Sequence, residues 1–75
     1  MSRVVFDYSK LKGRIIEKCN SQKAFADRLG ITQSTLTSKL KGYTGFSQDE
    51  IFRTADILEI NMDRINQYFF TRKVQ

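Results

Sequence analysis

Residues 22–42 read Gln-Lys-Ala-Phe-Ala-Asp-Arg-Leu-Gly-Ile-Thr-Gln-Ser-Thr-Leu-Thr-Ser-Lys-Leu-Lys-Gly, and their spacing decides the fold. Phe25 and Leu29 stand four apart, as do Leu36 and Leu40, which is the repeat of one helical face. Two short helices, 22–29 and 33–41, therefore flank the tripeptide Gly30-Ile31-Thr32. Gly30 supplies the positive φ of a sharp turn. Ala26 is small where two helices cross closely, Ile31 plugs the corner, and Thr32 restarts the chain as an N-cap. Phe25, Ala26, Leu29, Ile31, Leu36 and Leu40 are expected in the core. The other positions of the second helix are Gln33, Ser34, Thr35, Thr37, Ser38, Lys39 and Lys41. All are polar and none is acidic. Such side chains can hydrogen-bond base edges or phosphate oxygens, or simply form a solvated helix surface.

Outside this stretch the apolar spacing is also helical. Leu11, Ile15, Ile16 and Cys19 form one stripe, Ile51, Ala55 and Leu58 another, and Ile65, Tyr68 and Phe69 a third. Four entries pair an apolar residue and a polar cap with an apolar residue on the fourth helical position: Phe6-Asp7 with Leu11, Ile31-Thr32 with Leu36, Phe46-Ser47 with Ile51, and Ile60-Asn61 with Ile65. Ser47 and Glu50 also read as a capping box. Ser21 caps the remaining helix. Gly30 and Gly42 stand where helices end. The spacing predicts five helices, over about 8–19, 22–29, 33–41, 48–59 and 62–69, with Val4-Val5-Phe6 as the one extended segment. Gly13 is out of place inside the first helix. It costs about 1 kcal/mol relative to Ala there and suggests a close packing contact.

Composition excludes several functions. The 75 residues allow one domain, whose small size leaves little room for an enzyme pocket. There is no histidine, and Cys19 is the single cysteine. No Cys/His zinc site and no Ser-His-Asp or Cys-His catalytic pair can be assembled, so no catalytic residue, metal or cofactor is expected. The lone cysteine suits a reducing compartment and a core position. Apolar runs reach only three residues, so neither a membrane span nor a secretory signal is expected. Charge is uneven. Residues 1–45 hold nine basic and three acidic side chains, net +6, whereas residues 46–75 hold four basic and five acidic, net −1. That split suggests a polyanion-binding half and a structural or partner-binding half, or ordinary solubility charge.

Gln22, Ala26, Gly30-Ile31-Thr32-Gln33 and Leu36 together resemble the helix-turn-helix of phage repressor and Cro proteins, the wider Xre-type group. The opening Phe6-Asp7-Tyr8-Ser9-Lys10-Leu11-Lys12-Gly13 is similar to the start of small regulators from temperate phages of Gram-positive bacteria. Some of these act as Cro-like repressors and others as modulators of repression. The resemblance implies an all-α, five-helix, lambda-repressor-like helix-turn-helix domain over 1–75, with short N- and C-terminal tails. The helix-turn-helix would span about 22–42 and a dimer or partner region about 46–75. It further implies that Gln33, Ser34, Thr37 and Ser38 read bases. Gln22, Lys23, Lys39, Lys41, Tyr43 and Thr44, with Arg14 as a further candidate, would hold the DNA backbone. Lys39 departs from the pattern, which places an apolar residue there; Leu40 is expected to take over that packing.

Ile57, Phe52 and Phe70 fit no inward stripe. With Phe69 they form a candidate dimer or partner surface; a wider core stripe would also account for them. Two readings stand. One is a regulator that binds double-stranded operator DNA as a homodimer in the lysis–lysogeny switch. The other is a modulator that binds a phage repressor protein. Either would work in the host bacterial cytoplasm, with no membrane and no small-molecule substrate.

Overall fold

The computed structural model describes residues 6–73, so Val4 and Val5 lie outside the described residues. The chain is all-α. Five α-helices occur among the described residues: α1 (Ser9–Cys19), α2 (Gln22–Leu29), α3 (Gln33–Leu40), α4 (Gln48–Leu58) and α5 (Ile65–Phe69). A single 3-10 turn, Met62–Arg64, precedes α5. Phe6 and Arg72 form an isolated antiparallel bridge, which lays the two ends of the described segment side by side. No described helix is long and apolar enough to cross a membrane.

Local chemistry accounts for most helix starts. The Ser21 hydroxyl accepts from the Ala24 amide at 3.0 Å, and Thr32 accepts from Thr35 at 3.1 Å. The capping box at α4 closes in both directions: Ser47 Oγ accepts from the Glu50 amide, and Glu50 Oε1 accepts from the Ser47 amide. α1 starts one residue later than the spacing implied, with Tyr8 rather than Asp7 at the N-cap. The Asp7 carboxylate accepts from both the amide and the hydroxyl of Ser9, the first residue of α1. Asn61 makes no side-chain cap, and the first turn there tightens into 3-10 geometry rather than continuing α5.

Two helix ends depend on arginines from elsewhere. Arg14 donates from Nε to the carbonyl of Leu58 at 2.9 Å and from Nη2 to that of Glu59 at 3.0 Å. These contacts serve the C-terminus of α4, where Glu59 adopts φ 54° without being glycine. Arg53 donates to the carbonyl of Leu29, the last residue of α2. The chain then turns through Gly30 at φ 85°, and the Ile31 amide returns to the Ala26 carbonyl at 3.0 Å.

All five helices close on one core. α1 supplies Leu11, Ile15 and Cys19; α2 supplies Phe25, Ala26 and Leu29; α3 supplies Leu36 and Leu40; α4 supplies Ala55 and Leu58; α5 supplies Tyr68 and Phe69. α1 packs on α2, α4 and α5, while α2 packs on α3 and α4. Beside this aliphatic centre runs a chain of aromatic rings. Tyr8 meets Phe46 at 5.5 Å, and Phe46 meets Phe69 at 5.2 Å, both edge to face. Ile16, expected on the inward stripe, lies exposed on the outer side of α1.

Gly13 makes no close contact. A Cβ built there meets nothing within 4 Å, and the position is solvent-exposed. The packing reason suggested by its place in the helix is therefore withdrawn. Gly13→Ala is expected to stabilise the protein by about 1 kcal/mol, because Ala reduces the backbone entropy lost on folding. Thermal unfolding checks this: the melting temperature should rise by about 4–8 °C. An unchanged or lower value would show that Gly13 carries no helix-propensity cost at this position.

Candidate interaction surface

The residues expected to read bases do share one side of α3, but unevenly. Gln33 and Ser34, in its first turn, are exposed. Thr37 and Ser38, one turn on, are half-buried. Thr35, also exposed, receives a hydrogen bond from the Thr32 hydroxyl at 2.9 Å. Gln22 is half-buried at the start of α2. Lys23 is exposed and pairs with Asp27 on the same helix at 3.5 Å. Lys41, Tyr43 and Thr44 are exposed on the loop after α3, and Tyr43 keeps 70% of its surface in solvent.

Lys39 is not among them. Only 8% of it is exposed. Its ammonium donates to the Gly45 carbonyl at 2.9 Å, pairs with Glu50 Oε1 at 3.0 Å and stands 5.6 Å from the centre of the Phe46 ring. A DNA-backbone role for Lys39 is therefore corrected: its charge is already compensated inside the protein. Leu40 is buried as well, so the two residues share the packing expected of one apolar position. Arg14 is corrected in the same way, because its guanidinium serves the carbonyls that end α4. With Lys39 turned inward, no cation remains on the exposed side of α3 between Gln33 and Ser38. Lys41, at its C-cap, is the first one reached.

The second half divides similarly. Phe52 and Phe70 stand about half exposed, and with Ile51, Met62 and Ile65 they line a shallow apolar groove between α4 and α5. Phe70 also meets Phe6 edge to face at 5.8 Å. Phe69 is 1% exposed and belongs to the core, a correction to its place on the partner surface. The side chain following it, Phe70, takes the outward direction instead. Ile57 is half-buried and packs against the core, as the wider-stripe alternative implied. Met62 was missed although it stands three residues before Ile65; it lies in the 3-10 turn that precedes α5.

Burial raises the Glu50 carboxyl, but the Ser47 amide and Lys39 outweigh it and hold the group below the ordinary carboxylate range. A carboxyl whose folded pKa is depressed adds stability above its unfolded pKa, and that stability is lost as pH falls through the folded value. Glu50→Gln should therefore melt lower than wild type at neutral pH, and the gap should close as pH drops below the ordinary carboxylate range. Melting curves from neutral to acid pH check this; a constant gap would remove Glu50 from the pairing.

A small all-helical domain with a polar, acid-free third helix and an apolar groove on its second half is the class defined by this geometry. The match to the family described as "Protein of unknown function (DUF739)" covers residues 4–72, and the chain belongs to that family. It is similar to the solution structure of the modulator of repression of the temperate bacteriophage TP901-1 from Lactococcus lactis. The two are 40% identical, with a TM-score of 0.79 over 93% of this chain and 95% of that one. No curated protein matches the chain.

Proposed function

We propose that this chain is a modulator of repression of a temperate phage, acting by binding the phage's repressor protein rather than by reading operator DNA itself. The observation that carries this is the structure of α3. Its exposed turns offer amides and hydroxyls, its lysine is buried against Glu50, and no arginine lies on it. Arginine to guanine is the commonest specific base contact, and phosphate neutralisation supplies most non-specific affinity. Both are weakly provided here. The similarity to a phage modulator of repression, over nearly the whole of both chains, supports the same reading. The polar α3 and the apolar groove of Phe52, Met62 and Phe70 are two faces open to a protein partner. A protein that binds the repressor better in one of its states, free or on the operator, shifts promoter occupancy by linkage alone. The role needs no chemistry, cofactor or metal, and its place is the host bacterial cytoplasm, where the repressor acts.

Direct operator binding by a helix-turn-helix of Xre type is favoured by one observation: Gln33 and Ser34 are both exposed in the first turn of α3. An electrophoretic mobility assay on the phage switch region separates the readings. The chain alone should give no discrete shift at about 0.15 M salt. Added to repressor, it should change the repressor's own shift. A sequence-specific shift by the chain alone, weakened by about 1–3 kcal/mol in Gln33→Ala, would contradict the proposal in favour of base reading.

A further inference from the structure

The lysines of the described chain fall into two groups. Four have partners: Lys10 donates to Gln67 at 2.6 Å, and Lys18, Lys23 and Lys39 pair with Glu59, Asp27 and Glu50. Lys12, Lys41 and Lys73 have no hydrogen-bonding or ion-pair partner among the described residues. These three come from distant parts of the sequence and line the same recess. It lies between the start of α1, the end of α3 and the C-terminal segment, and has a volume of about 390 Å³.

We infer that this recess binds an acidic segment of a protein partner, with Lys12, Lys41 and Lys73 taking its carboxylates. Asp7 is the one acidic side chain in the lining, which leaves three positive charges against one negative, net +2. Its carboxylate is already engaged by the Ser9 amide and hydroxyl. The same hydrogen bonds, and then the charges of Lys73 and Lys12, hold it ionised. Uncompensated positive charge therefore remains. Tyr8, Leu40 and Tyr43 also line the recess. A segment carrying Asp or Glu beside an apolar residue matches both parts: carboxylates at the lysines, the apolar group against the rings and Leu40.

A nucleic-acid backbone fits less well. It needs cations in a row, and α3 offers none from Gln33 to Ser38. The three lysines converge on a concavity instead. The inference rests on the reading that the ligand is the repressor protein, and it specifies the chemistry of the contacting segment.

Calorimetric titration of the full chain with the phage's repressor, at several salt concentrations, tests it. Single changes Lys12→Gln, Lys41→Gln and Lys73→Gln should each weaken binding about two- to fivefold at low salt, and the triple variant about tenfold or more. These losses should shrink at high salt, because exposed charges are screened. Arg64→Gln, which removes one exposed charge elsewhere, should bind as wild type. A triple variant that binds the repressor like wild type at every salt concentration overturns the recess and leaves the protein-partner reading standing. A wild type that does not bind the repressor overturns that reading and the recess with it. A triple variant that loses duplex binding but keeps repressor binding makes the lysines a nucleic-acid contact, which also overturns the inference.

Discussion

Lys39 is held inward by the Gly45 carbonyl and the Glu50 carboxylate, and its stem fills space that an apolar side chain could have taken. This one pairing fixes the rotation of α3 about its axis. Leu36 and Leu40 face the core on the same side, so Gln33, Ser34 and the half-buried Thr37 and Ser38 are what α3 presents. It also ties the loop after α3 to α4, since Glu50 caps Ser47 while it pairs with Lys39. A buried ion pair is weak evidence for net stability, because desolvation opposes the Coulombic gain. Here it selects one arrangement of loop and helix over others.

Charge on the basic half has more structural uses than a count suggests. Arg14, Lys18, Lys23 and Lys39 all engage carbonyls or carboxylates within the protein. Arg53, in the second half, does the same for α2. The polyanion face implied by the net +6 is thereby reduced to a few free cations, two of which, Lys12 and Lys41, share one recess with Lys73 of the second half. A chain this short has a small core, so such caps and carbonyl contacts, each worth about 0.5–2 kcal/mol, form a large part of its modest stability.

The helices were legible because their signals are local. Ser21, Thr32 and Ser47 cap as their positions imply, and Gly30 ends α2 with positive φ. What was not legible depends on residues far apart in sequence. Lys39 meets Glu50 across a loop, Arg14 meets the end of α4, and Lys12 meets Lys41 and Lys73 only once the chain ends lie together. Phe69 and Phe70 are neighbours that could have exchanged roles. The edge-to-face contact of Phe69 with Phe46 decides which is inside. Ile16 was misplaced because the inward stripe of α1 is narrower than an apolar pair suggests.

The reading of α3 as a face for a protein partner stands or falls with the Lys39–Glu50 pairing, which a double-mutant cycle measures directly. Lys39→Met, Glu50→Gln and the double variant would be compared by denaturant unfolding at neutral pH. The account predicts a coupling energy of about 1–3 kcal/mol, with the double variant costing less than the sum of the singles. Additive losses, with coupling near zero, would mean that Lys39 is free to turn outward and that α3 carries a cation on its exposed face after all.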